Sequence, residues 1–190
     1  MTTQMTSSIT RHGESLANAQ QVFAGQSYDA PLTELGVTQA YELAESLKTA
    51  AIDRIVSSPT SRALDTAQII AKILRVDTLV EDGDLAEYDM GVLSGMPISS
   101  IASSDEFFAA SGAEDPDTFR DRVVRGILRH HRDDEHTLFV SHNGVMRALL
   151  TVTQDLPARS FRDLPKRHNA RVEPIDIESL RQYAKQINNM

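Results

Sequence analysis

Side chains able to hold and move phosphorus-bound charge recur at four places in the chain. These are Arg11-His12-Gly13, Arg62 four residues after Ser58, Glu87 within Leu85–Gly91, and His142-Asn143-Gly144. A neutral imidazole is a good nucleophile toward phosphorus, and two guanidiniums can neutralise non-bridging oxygens through forked hydrogen bonds. A leaving alkoxide then needs a proton from an acid outside that anion cage, for which Glu87 is the first candidate and Asp89 the second. One carboxyl would act as acid first and as base for water afterwards. His142 is expected to be cationic and to join Arg11 and Arg62 around the anion, with no carboxylate competing among these donors.

Such a set works only if the fold brings it together. Apolar periodicity alternates between strand-like runs and helix-length segments, with no repeat and no low-complexity tract. Strands are expected at Ser8–Thr10, Ile52–Ser57, Val76–Glu81, Thr137–Ser141 and Val172–Ile177, the last at a sheet edge because it contains Pro174. The first is unusually polar through Thr6-Ser7-Ser8, which is expected to weaken the sheet core.

A helix from Glu34 to Lys48, N-capped by Thr33, should bury Ala40, Leu43, Leu47 and Ala51. A second, with Ser58 as N-cap and Pro59 at its first position, should bury Leu64, Ala67, Ala71 and Leu74 and set Arg62 in the first turn. A third runs from Asp115-Pro116 to about Arg132 through Phe119, Val123 and Ile127, and a fourth follows Gly144. This alternation predicts an α/β fold, a single-domain three-layer sandwich spanning 1–190, with a mostly parallel sheet covered by helices on both faces. Arg11-His12, the residues before Arg62, and His142 then fall at strand C-terminal ends, where ligands bind and helix N-termini point.

The motifs themselves resemble the histidine phosphatase superfamily, which includes cofactor-dependent phosphoglycerate mutases and many small-molecule phosphatases. Arg11–Asn18 is similar to its Arg-His-Gly signature with a following Asn, and Phe23–Gly25 with Pro31–Ala40 looks like the next block. Ser57–Ala67 resembles the arginine-bearing helix start, and Leu85–Gly91 with Val140–Leu150 the later blocks. The resemblance implies that His12 is the phosphorylated nucleophile, that Arg11, Arg62 and His142 hold the phosphoryl group, and that Glu87 is acid and base. Asn18 would be a further pocket residue, or equally a turn or capping residue. Family members usually carry Gly directly after the second histidine. Here Asn143 intervenes, at a substrate-binding position where it is expected to crowd or re-aim the pocket mouth.

Composition narrows the setting. The 190 residues carry 19 Lys and Arg against 27 Asp and Glu, a net charge of −8, which argues against nucleic-acid or membrane binding. No cysteine is present, so disulfides and thiolate chemistry are excluded. The polar stretch Met1–Ser8 lacks the features of a signal peptide, and the default location is cytoplasmic. Arg120, Arg122, Arg125, Arg129, His130, His131 and Arg132 read as a solvated basic helix face. The cluster Arg159, Arg162, Lys166, Arg167, His168 and Arg171 reads as a solvated loop, with a place over the pocket as the alternative. His130 and His131 lack carboxylate or cysteine partners at ligand spacing, so neither a metal nor another cofactor is expected. The expected activity is hydrolysis of a phosphomonoester, the partner being a small phosphorylated metabolite or a phosphoprotein. Mutase-type transfer and non-catalytic binding of a phospho-ligand are the alternatives.

Overall fold

The computed structural model describes residues 7–110 and 112–187. Met1–Thr6, including the Thr6 expected to lead the first strand, lie outside the described residues. Five strands form one sheet: β1 (Ser7–Arg11), β2 (Arg54–Ser57), β3 (Leu79–Glu81), β4 (Thr137–Ser141) and β5 (Val172–Pro174). Their spatial order is β3-β2-β4-β1-β5, with every pair parallel except β1–β5. The expected mostly parallel sheet is therefore present, and the Pro174 strand takes an edge where its missing N–H costs no ladder bond.

Alternating side chains assign the two faces. Ile55, Leu138 and Val140 point to one side, against α2 (Glu34–Ser46) and α3 (Ser61–Leu74). Ile9, Val56 and Phe139 point to the other, against α5 (Pro116–His130), α6 (Asn143–Thr153) and α7 (Ile177–Ile187). Two short helices, α1 (Leu16–Ala19) and α4 (Ser104–Phe108), sit in the connections. This is a three-layer α/β sandwich.

Three local readings are corrected. The polar β1 lies inside the sheet, and its buried hydroxyls are paired: Ser7 Oγ meets His131 Nδ1 at 2.8 Å and Ser8 Oγ meets His136 Nε2 at 3.0 Å. Satisfied hydrogen bonds replace the expected weakness. The Thr33-capped helix stops at Ser46, whose Oγ donates to the Leu43 carbonyl at 2.7 Å, so Ala51 lies beyond it and is exposed. The buried face of α3 is Arg62, Ala63, Thr66, Ala67 and Ile70, with Leu64, Ala71 and Leu74 only partly buried. It is turned because Arg62 and Thr66 must face the strand ends.

Candidate active site

β1 delivers Arg11 and His12 to the C-terminal end of the sheet, where the His12 N–H donates to the Ser141 carbonyl of β4 at 2.9 Å. Gly13 follows because the chain there passes against the start of α2: a Cβ on Gly13 would stand 2.3 Å from the Gly36 carbonyl oxygen. The Gly13 N–H donates to Thr66 Oγ1 at 3.1 Å, which ties the loop to α3. The His12 ring lies with Nδ1 2.6 Å from the Gly13 carbonyl oxygen. A carbonyl only accepts, which assigns the proton to Nδ1 and leaves Nε2 with its lone pair.

Arg62 is almost fully buried, with Nη2 donating to the Gly25 carbonyl at 2.8 Å and Nη1 3.4 Å from Asp29. Asp29 also accepts from the Ser61 N–H at 3.1 Å, so a carboxylate from another loop occupies the first turn of α3. The helix starts at Ser61, with Thr60 as the residue before it and Pro59 outside. Ser58 does not cap it. Its Oγ lies 2.8 Å from His142 Nε2, and Thr60 Oγ1 lies 3.2 Å from the same atom, so both hydroxyls serve the histidine instead.

His142 precedes α6 and is fully buried, its ring 5.1 Å from that of His12 at 63°. Burial, reinforced by Arg62 and Arg11, pushes both imidazoles well below their ordinary value. This environment disfavours the cationic His142 expected from the sequence. Nor is the cage free of carboxylates. Glu87 enters it, with Oε2 accepting from the Gly144 N–H at 3.1 Å and Oε1 from the Tyr88 N–H at 2.9 Å. A Cβ on residue 144 would fall 2.0 Å from Glu87 Oε1, so glycine here is what lets the carboxylate lie against the start of α6.

The loop bearing Glu87 is held by Arg122, one of the α5 arginines expected to be solvated. Arg122 is buried: it donates to the carbonyls of Asp84, Ala86 and Glu87 at 2.8–2.9 Å and pairs with both oxygens of Glu114 at 2.7 and 2.8 Å. Arg129 and His130 pair with Asp82, and His131 lies against Ser7 and Asp133. Most of that face is therefore bound to loops and strands rather than solvated. The histidines do have carboxylate neighbours in space, although among the described residues no three His, Cys, Asp or Glu side chains are grouped to hold a metal ion. Asp89 accepts from the Gly91 N–H at 3.0 Å and does not line the cavity.

A cavity of about 420 Å³ opens over this set, lined by Arg11, His12, Asn18, Arg62, Glu87 and Asn143 among others. A larger hollow of about 920 Å³ between α2 and residues 166–172 shares Arg11, Lys166 and Asn169 but is not lined by His12, His142, Arg62 or Glu87. The smaller cavity gathers Arg11, His12, Arg62 and Glu87, while His142, fully buried beside His12, does not line it. Asn18 lines the cavity, and its Oδ1 accepts from the Ser15 N–H at 3.2 Å and completes the cap of α1. Asn143 Oδ1 accepts from the Arg167 N–H at 2.8 Å, which ties the 166–169 segment to the mouth. Arg162 and Lys166 line the cavity, so the second basic cluster is not simply a solvated loop.

Two lining residues were not legible as such. Asn169 Nδ2 donates to the His12 carbonyl at 2.8 Å, and only the strand pairing that brings the 169–172 segment back beside β1 reveals it. Arg147 sits in the last motif block at the spacing of one helical turn from Asn143, which was its available signal.

The model of a family described as the histidine phosphatase superfamily (branch 1) matches residues 8–190. A curated relative named probable phosphoglycerate mutase GpmB, from Proteus mirabilis (strain HI4320), is 34% identical over 184 residues, covering 90% of this chain and 84% of that one. The solved structure of a mycobacterial glucosyl-3-phosphoglycerate phosphatase superposes with a TM-score of 0.73 at 26% identity, over 87% of this chain and 86% of that one. The protein YhfR of Bacillus stearothermophilus shares the fold with a TM-score of 0.76 at 24% identity, over 87% of this chain and 88% of that one.

Proposed function

The chain belongs to the histidine phosphatase superfamily (branch 1), and on that premise we propose that it hydrolyses phosphomonoesters of small metabolites through a phosphohistidine on His12. The observation that carries this reading is the His12 tautomer: its Nδ1–H is engaged by the Gly13 carbonyl, so Nε2 is the free nucleophile in a cavity shared with Arg11, Arg62 and Glu87.

In the first step Nε2 attacks phosphorus in line, the ester P–O bond breaks, and Glu87 delivers its proton to the departing oxygen. Arg11 and Arg62 balance the charge on the three non-bridging oxygens. His142 lies edge-on to His12 and is oriented by Ser58 and Thr60; once a dianion binds, a proton on its ring would add a donor to the same oxygens. In the second step water attacks the phosphohistidine while Glu87 takes back a proton. Orthophosphate leaves, and His12 returns to its starting tautomer.

Mutase-type transfer is the second reading, favoured by the name of the 34% identical relative. Only about 55 residues separate Glu87 from His142, which leaves little chain to close over a bound intermediate and exclude water, and this supports hydrolysis. The deciding experiment is a phosphate-release screen over a broad ester panel, with His12→Ala as the blank. Release accompanied by an acid-labile phosphate on His12, both lost in the variant, is expected. An adduct that instead converts 3-phosphoglycerate to 2-phosphoglycerate faster than it releases phosphate would establish the mutase. No adduct with any donor would leave a binding module.

A further inference from the structure

The cavity is also lined by cationic groups that the hydrolysis cycle does not use. Arg147 lies three residues past Gly144 on α6, and at that helical spacing it shares the face against which Glu87 packs. It is 5% exposed and lines the cavity. One Nη2 bond goes to the Arg162 carbonyl, while Nε finds no partner among the described residues. Burial pushes this guanidinium down to about 10, with Glu87 the largest charge opposing that fall. A buried cation without a close counter-ion is costly to keep, and an incoming anion would remove that cost.

Arg162 stands beside it. Its guanidinium lies 4.7 Å from the Phe107 ring centroid and 5.9 Å from that of Phe23, and its buried Nε is also unpartnered among the described residues. Stacking on two rings fixes the plane of its donors, which suits a planar carboxylate. Lys166 adds an exposed charge at the rim. Arg147 and Arg162 line the same cavity as Arg11 and Arg62, and Glu87 carries the charge that acts on Arg11, Arg62 and Arg147 alike.

We propose that Arg147 and Arg162, with Lys166 at the rim, form a carboxylate subsite for the leaving group, so that the preferred substrates are phosphomonoesters whose alcohol carries a carboxylate a few bonds from the ester oxygen. This rests on the phosphatase reading of the same cavity. The two guanidiniums recognise the carboxylate, and Phe23 and Phe107, in ring contact with each other, line the cavity with Phe161 and pack the carbon skeleton between the two anions.

The test compares 3-phosphoglycerate with glycerol 3-phosphate, which differ by a carboxylate against a hydroxymethyl group, and uses 4-nitrophenyl phosphate as an ester without a second anion. The wild-type protein should favour 3-phosphoglycerate by about tenfold to a hundredfold in kcat/KM, the range expected for a charged hydrogen bond to a buried group. Arg147→Gln should remove most of that preference through KM, and Arg147→Lys should restore part of it. Because Arg147 also braces the Arg162 carbonyl, the exposed Lys166→Ala carries the test should Arg147→Gln fail to fold; it should lower the preference severalfold. Equal kcat/KM for the two esters in the wild type, or a preference undiminished in these variants, overturns the subsite. Absence of turnover on all three esters would instead refute the phosphatase reading. The subsite is then decided by calorimetric affinities of the wild type for 3-phosphoglycerate and glycerol 3-phosphate, where equal values overturn it and a tenfold difference supports it.

Discussion

At the scale of single residues, the site depends on what each polar atom is already doing before a ligand arrives. Nδ1 of His12 is committed to a carbonyl, Nε2 of His142 to two hydroxyls, and the Glu87 carboxylate to two backbone N–H groups. The last arrangement makes Gly144 as important to Glu87 as its own backbone is. Gly144→Ala would put a methyl group where Oε1 now lies, and the carboxylate is the only side chain it meets closely. Because the end of a glutamate swings aside at little cost, the variant should fold with nearly unchanged Tm while losing the acid. It should therefore imitate Glu87→Gln. In single-turnover phosphorylation of His12, both variants should slow transfer from an alkyl phosphate by about 100-fold or more, and transfer from 4-nitrophenyl phosphate, whose leaving group needs no proton, far less. Equal slowing with both donors would show that Glu87 acts on the phosphoryl group and not on the leaving oxygen.

At the scale of elements, strand positions, the edge place of the Pro174 strand and the starts of two helices were readable in the sequence because they follow from local signals: apolar runs, the proline itself, and Thr33 and Asp115 as caps. What escaped was long-range and polar. Ser58 carries the composition of an N-cap, yet it is bonded to a histidine 84 residues away. The arginines of α5 look alike in sequence, and only the return of the 84–87 loop selects Arg122 as the buried one. That selection is testable. Arg122→Met fills similar volume but strands Glu114 and three carbonyls, and breaking a buried pair in this way costs about 3–5 kcal/mol. For a chain of this length the Tm should fall by about 10 °C. If Arg122 also positions Glu87, kcat on alkyl phosphates should drop well below the transition, and Arg122→Lys should recover less than half of it, since an ammonium cannot reproduce the fork. A Tm loss with unchanged kcat would confine Arg122 to stability.

At the scale of the whole molecule, an acidic chain concentrates buried cationic groups at one end of its sheet, and the two buried histidines must fold there uncharged. Below about pH 6.5 each is protonated in the unfolded chain but stays neutral in the native site, so the unfolded state binds up to two more protons. Stability is then fully present above pH 6.5 and declines as the pH falls from there toward the depressed native values, by as much as about 2.7 kcal/mol per pH unit for two protons. Carboxyls held low by hydrogen bonds, Asp133 to His131 and Arg181 and Asp176 to Ser179, lose their contribution only around and below 3.8 and leave this window to the histidines. Asp65, raised by burial and by Asp29, works in the opposite direction just above 3.8. Urea unfolding between about pH 7.5 and 5 should show the decline, and the double variant His12→Asn, His142→Asn should flatten it by close to two protons even though lowering the negative net charge acts the other way in both proteins. A decline of equal slope in the double variant would place the acid sensitivity outside the site. A kcat/KM profile whose acid limb nevertheless lies below pH 6.5 would still report the neutral His12 that the nucleophile requires.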